Sequence, residues 1–267
     1  MKIYNNGQLV DKEGMLEIFE PGFLFGWGAF ETLRAYQGKI PFLAQHIARL
    51  NETSKHLALE LVSLNFEEII KTLLRENNVL DAYIRITAYK RREGTGVLVY
   101  IDQFGYYPQS VYDKGFRAIF TRHRRDAGNY FSKIKALSYL ENRMAWHSAQ
   151  ASGNDEALIL NKEGFLVGGS RSNLFLVRKK EVLTPSFANG ATNGITRDIV
   201  MELARQMHIE VHEAELTQED LFSCDEAFLT SALLEVMPLV ECDGDPIGTA
   251  KPGPATRLFL EEYRKSL

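Results

Sequence analysis

The chain has 267 residues, 45% of them apolar and 25% charged, with a net charge of −4. This is the make-up of an ordinary water-soluble globular protein with one or two domains, and it argues against nucleic acid or an acidic membrane surface as the main partner. Two cysteines, Cys224 and Cys242, are too few for a disulfide framework, no Cys/His spacing suggests a metal site, and no signal core or membrane-length apolar run is seen, so a cytoplasmic protein is expected.

Residues 1–10 predict a short strand, a turn at Asn5-Asn6-Gly7 and a return. In 20–34, Gly22, Gly26 and Gly28 alternate with Phe23, Phe25, Trp27 and Phe30. Such a stretch suits a pocket wall or a tight core, and core is the simpler expectation. Residues 36–39 form a turn. The clearest helix is 41–59, with Leu43, Ile47, Leu50, Ser54 and Leu57 as its inner stripe. His46 and Arg49 flank that stripe one turn apart, so Arg49 can reach an anion, although a helical arginine is more often in a solvated charge pair. A second amphipathic helix covers 66–77. Residues 82–90 and 97–101 read as strands, joined by the basic turn 90–94. Gly105, Tyr107 and Pro108 give 102–115 linker character, which places a boundary there: a first domain at 1–107, a linker at 108–115 and a second domain at 116–267.

A strand at 116–123 leads toward Lys135. Beyond it Leu137, Leu140, Met144 and His147 or Ser148 recur at helical spacing, so Lys135 is expected where an extended segment turns into a helix. A lysine at such an apolar junction loses solvation, which lowers its pKa and frees the amine for Schiff-base chemistry. A lone lysine more often just covers apolar surface with its stem. Residues 156–161 and 165–167 suggest a hairpin, followed by the small polar loop Gly168–Asn173 and a strand at 174–177. At 193–207 a helix opens on Gly194-Ile195-Thr196. Its exposed N–H groups, a hydroxyl and the positive dipole end suit a phosphate, while N-capping by Asn193 or Thr196 is the plainer alternative. The strand 226–230 ends on small groups at Thr230-Ser231-Ala232, and 254–265 is a final helix.

Several of these separated stretches together resemble the class IV, fold-type IV, pyridoxal-phosphate enzymes: the branched-chain and D-amino-acid aminotransferases and 4-amino-4-deoxychorismate lyase. They are GFLFGWGAFETLRAYQGK, QHIARL, KIKALSYLENRMA, EALILNKEGFLVGGSRSNLFLV, NGITRD, DEAFLTSALLEVMPL, DGDPIG and KPGPAT. The resemblance implies two α/β domains, a smaller N-terminal one and a larger strand-rich C-terminal one. It places pyridoxal 5'-phosphate in the cleft between them and implies a homodimer. By the same resemblance Lys135 is the Schiff-base lysine, Arg49 binds the cofactor phosphate together with Ile195, Thr196, Ser231 and Ala232, and Asn173 belongs to the cofactor-binding loop. Phe30, Thr32 and Tyr139 are implied on the substrate side. One departure stands out: the family's loop begins with a glutamate that pairs with the pyridine nitrogen, and Gly168 occupies that position here. Trp27 is a milder one, replacing a frequent aspartate.

Among activities, a transaminase moving an amino group between an amino acid and a 2-oxo acid in ping-pong half-reactions is expected first. The lyase, releasing 4-aminobenzoate and pyruvate, is the alternative, because Thr32, Phe25 and 231–234 look lyase-like. A cofactor-binding protein weakened by Gly168 is the third.

Overall fold

The computed structural model describes residues 1–12, 17–105, 107–179 and 181–267, which form two compact units. The first comprises Met1–Tyr106 with Lys135–Tyr139 and Leu267, the second Tyr107–Ile134 with Leu140–Ser266.

The first unit runs β1 (Lys2–Asn5), β2 (Gln8–Asp11), α1 (Pro21–Phe25), β3 (Gly28–Ala35), α2 (Leu43–His56), α3 (Phe66–Glu76), β4 (Ala82–Lys90) and β5 (Thr95–Gln103). Its sheet has the order β2-β1-β5-β4-β3, antiparallel throughout. Alternation along β4 buries Ala82, Ile84, Ile86 and Ala88 on one face, where they meet Leu50 of α2 and Ile70, Leu73 and Leu74 of α3. Glu31 shares the buried parity of β3 with Ala29, Leu33 and Ala35, which faces it toward α2, whereas Phe30 and Thr32 take the other face with Arg85. As the outer strand of the sheet, β3 is covered along its free side by residues 135–137. There the Phe30 N–H donates to the Lys135 carbonyl (3.0 Å) and the Leu137 N–H to the Gly28 carbonyl (2.7 Å).

One expectation fails in this unit. The aromatic run is not core: α1 presents Phe23 and Phe25 at 64% and 73% exposure, and Trp27 is also exposed. A five-residue helix ended by Gly26 (φ 63°) turns those rings outward, and only Phe30, on β3, is buried. The turn after β4 is solvated but tethered, since the buried Glu20 accepts the Arg92 N–H at 2.6 Å.

The second unit contains α4 (Gln109–Lys114), β6 (Phe116–Arg125), α5 (Leu140–Ala151), β7 (Glu156–Asn161), β8 (Leu166–Gly169), β9 (Asn173–Arg178), β10 (Glu181–Pro185), α6 (Ile195–Gln206), β11 (Glu210–Ala214), α7 (Gln218–Ser223), β12 (Glu226–Ser231), β13 (Glu235–Cys242), β14 (Asp245–Pro246) and α8 (Pro254–Lys265). Its mixed sheet follows β11-β10-β9-β12-β13-β6-β7-β8, with β14 paired to β13. Stacked Phe175 and Phe228 (4.9 Å between centroids) and Phe259 of α8 are fully buried and join helix to sheet.

Residues 109–114, read above as linker, form a helix because Tyr112 is buried and donates toward the Leu234 carbonyl. The helix after Lys135 begins at Leu140, not Leu137. Its buried face is Ala145 and Ala149, packed on Ala157 and Ile119, while Leu140 and Met144 are exposed. Small residues let α5 approach the sheet closely, so the large apolar residues mark the wrong side of it. Among the described residues no helix is long and apolar enough to cross a membrane.

Candidate active site

In the first unit the site grows from the parity of β3 and the pitch of α2. Glu31 has 0% side-chain exposure, and His46 and Arg49, three residues apart on α2, point onto it from one helix face. Arg49 donates through Nε to Oε1 and through a terminal nitrogen to Oε2, both at 2.6 Å. His46 Nδ1 lies 2.7 Å from Glu31 Oε2. Because an ionised carboxylate only accepts, the neutral imidazole carries its proton on Nδ1. Burial alone would raise the Glu31 pKa, but the hydrogen bonds and charge of Arg49, with help from His46, overcome it and pull the value from 4.5 to about 2. Burial, with Arg49 and Lys135 adding, pushes His46 below the usual imidazole range against the pull of Glu31.

Lys135 is partly buried, its Nζ 4.8 Å from the Phe30 ring centroid and 5.6 Å from that of Tyr139. Phe30 and Tyr139 meet edge-on at 5.2 Å. The Arg85 guanidinium also lies over the Phe30 ring, 3.5 Å from its centroid, and donates toward Thr32 Oγ1. Burial first, then Arg49 and Arg85, drive the Lys135 pKa down from 10.5 to about 7, with Glu31 the opposing influence. The amine is therefore largely neutral just above neutrality, the form that attacks a carbonyl. The position of Lys135 differs from the expected strand–helix junction: it lies five residues before α5, held by backbone pairing to β3.

In the second unit, the 12-residue helix α6 starts on Gly194, which has no side chain of its own to cap the helix. Ile195 and Thr196 are buried there. Arg197 is 1% exposed and anchors this turn through Glu213 (2.9 Å) and the Phe187 ring (4.2 Å). Asn173 donates to the Thr192 carbonyl at 2.8 Å, and a Cβ on residue 194 would lie 1.9 Å from Asn173 Oδ1, so only glycine fits. At the end of β12 the Thr230 hydroxyl is buried without a hydrogen-bond partner among the described residues, and Ser231 Oγ accepts the Leu234 N–H across the turn containing Ala232.

The 168–173 loop is built around Glu156, a fully buried carboxylate at the start of β7. It accepts the Ser172 hydroxyl (2.9 Å), the Ser170 hydroxyl, and the N–H groups of Ala157 (2.9 Å) and Ser170 (3.2 Å). Arg171 turns toward this carboxylate (3.9 Å) and the Trp146 ring (4.9 Å), a direction the sequence does not reveal. Gly168 has φ +145°, and a Cβ on it would meet the Ser172 carbonyl at 2.9 Å. The loop thus has no carboxylate of its own and a backbone that resists gaining one.

Each unit carries groups of a kind that pyridoxal phosphate needs: the first a depressed lysine amine for the aldehyde, the second a helix start on glycine and, at the end of β12, a buried hydroxyl for the phosphate. A carboxylate at residue 168 for the ring nitrogen is not among them. Sequence reading singled out Lys135, Arg49, Thr196 and Ser231 but not Glu31 or Arg85. The signal for both was the two-residue period of β3 and β4 set against the His46/Arg49 spacing.

The model of the family described as amino-transferase class IV matches residues 28–242. A putative branched-chain-amino-acid aminotransferase of Methanocaldococcus jannaschii is 36% identical over 99% of this chain and 96% of its own length. The D-alanine aminotransferase of Bacillus licheniformis is 29% identical over 100% of this chain and 97% of that one. Among solved structures, the branched-chain aminotransferase of the thermophilic archaeon Thermoproteus uzoniensis with norvaline superposes with a TM-score of 0.90 at 32% identity, covering 99% of this chain and 94% of that one. These similarities favour the transaminase over the lyase and over a catalytically weakened binder. The chain belongs to the class IV aminotransferases, pyridoxal-phosphate-dependent enzymes that move amino groups between amino acids and 2-oxo acids.

Proposed function

We propose that this chain binds pyridoxal 5'-phosphate through Lys135 and transaminates aliphatic, branched-chain amino acids against a 2-oxo acid. The observation that carries the reading is the Lys135 amine, brought to about 7 between Arg49, Arg85 and the buried Glu31. When bound, the cofactor supplies an aldehyde that captures amines and a ring that delocalises the electron pair left at the substrate Cα. Lys135 is the catalytic residue of this reading: its amine would hold the cofactor aldehyde and would take and return the proton at the substrate Cα. Arg49 offers a guanidinium whose plane is set by Glu31 to an anion. The start of α6 at Ile195–Thr196 and the Ser231–Ala232 turn offer N–H and hydroxyl donors to a phosphate, with Asn173 holding the loop before α6 in shape. Phe30 and Tyr139 lie beside the amine and, with Thr32 next to Arg85, are the residues proposed for the substrate side. The branched-chain preference rests on the likeness to aminotransferases described as branched-chain enzymes.

We further place the protein in the cytoplasm as a homodimer, which the exposed Phe19, Phe23, Leu24 and Phe25 of the first unit support as a surface suited to burial.

The test is spectroscopic. The loaded protein, mixed with L-leucine or L-valine alone, should pass to its amino form and return on addition of 2-oxoglutarate, with parallel-line kinetics. Release of 4-aminobenzoate from aminodeoxychorismate, with no response to any amino acid, would overturn this reading.

A further inference from the structure

We infer that Glu31 is a positioning residue for the cofactor: one buried carboxylate that fixes the plane of the Arg49 guanidinium, holds a single His46 tautomer and sets the charge balance around Lys135. The inference rests on the reading that Lys135 and Arg49 serve a phosphorylated aldehyde.

The geometry is that of a clamp. Arg49 meets both Glu31 oxygens through Nε and one terminal nitrogen, at 2.6 Å each. Two parallel bonds to a planar fork leave it no rotation about its own axis, so the direction of its other donors is decided before any anion arrives. An arginine held in this way loses little conformational freedom on binding a phosphate. Oε2 also takes the His46 Nδ1 at 2.7 Å, so the ring serves as a second strut and α2 is tied to β3 at two points one turn apart.

Removing the carboxylate would leave a largely buried guanidinium without its bidentate partner.

Charge makes the second half of the case. The ionisable groups around the Lys135 amine are Arg49 from α2, Arg85 from β4 and Glu31 from β3, with the Tyr139 ring beside them, and His46 also lies within electrostatic reach. Two of these are fixed cations, and Glu31 is the anion that offsets them. It thereby keeps the amine from being driven further into its neutral form, which leaves Lys135 able both to release and to hold a proton.

The experiment uses the full chain freed of cofactor, with Glu31→Gln and Glu31→Asp. Affinities for pyridoxal 5'-phosphate and for pyridoxal are read by absorbance, and the pH midpoint of Lys135 from the rate of its reaction with pyridoxal. Glu31→Gln should weaken the phosphorylated aldehyde by about tenfold or more and leave pyridoxal within about twofold. It should also move the Lys135 midpoint to lower pH by about half a unit or more. Glu31→Asp keeps the charge but shortens the clamp, so it should lose preference for the phosphorylated aldehyde while keeping the midpoint. That variant carries the test if the glutamine form does not fold.

Equal weakening of both aldehydes with an unmoved midpoint would show a structural role only and overturn the inference, as would wild-type affinities in both variants. If the wild-type chain forms no borohydride-reducible adduct at Lys135, the functional reading itself falls, and the inference with it.

Discussion

The depressed amine of Lys135 has a consequence large enough to measure without substrate. An ordinary lysine, at 10.5, is about 0.3% neutral at about pH 8, whereas an amine at about 7 is about 90% neutral, a gain of about 300-fold in reactive form. The shift corresponds to about 5 kcal/mol of discrimination against the ammonium. Burial of the side chain is its first cause, with the Arg49 and Arg85 charges adding to it. The assay is the rate of covalent capture of pyridoxal 5'-phosphate by cofactor-free protein, followed by absorbance from about pH 5.5 to about pH 10. The rate should rise with pH, reach half its limit near pH 7 and level off above about pH 8. Lys135→Ala should abolish capture. In Arg85→Gln the midpoint should move upward, by less than about one unit because burial remains the larger cause. A rate that keeps climbing in proportion to hydroxide up to about pH 10 would show that Lys135 is an ordinary solvated ammonium, and the argument from its surroundings would fail.

Two further predictions concern the two buried carboxylate systems. Glu31 has a folded pKa of about 2 against 4.5, so its contribution is complete above about pH 4.5 and is lost as pH falls through the folded value; it amounts to about 3 kcal/mol. In urea melts, the stability advantage of wild type over Glu31→Gln should therefore shrink between about pH 5 and about pH 2.5, and an advantage independent of pH would refute the assignment. Gly168→Glu looks from the sequence like the repair of a lost function, but the positive φ and the 2.9 Å approach to Ser172 O make it strained. It should cost about 1–3 kcal/mol in thermal or chemical unfolding and fail to speed the half-reaction. A faster, equally stable variant would mean that the loop reshapes at no cost.

Most of the architecture is legible in the sequence because its elements are strongly periodic. Ala82–Lys90 matches β4 residue for residue, and 254–265 matches α8. Legibility fails where local pattern and tertiary environment part company. Leu140 and Met144 carry a helical period, yet the sheet accepts only the small Ala145 and Ala149. Phe23 and Phe25 look like core, yet a short helix ended by Gly26 turns them to solvent. The candidate site divides in the same way. Lys135 and Arg49 are visible through motif and position. Glu31 is not, because its meaning depends on which face of β3 lies under α2, and that is fixed only when strand and helix pack. The orientation of Arg171 likewise depends on Glu156 and Trp146, which lie 15 and 25 positions away in the chain.

The short stretch 135–139 lies with the first unit although the residues on both sides of it belong to the second. During synthesis the N-terminal sheet therefore leaves the ribosome with the outer side of β3 uncovered. The Phe30 N–H and Gly28 carbonyl find their partners only after about thirty more residues have been added and the chain has returned. A protease cut or gene split at residue 106 yields a fragment that retains the sheet and helices α1, α2 and α3 but lacks its reactive amine and keeps an open strand edge, prone to pairing with another chain. Fusions and truncations that respect the apparent boundary would thus break the unit they are meant to isolate, and a self-contained first unit needs residues 135–139 spliced back alongside β3.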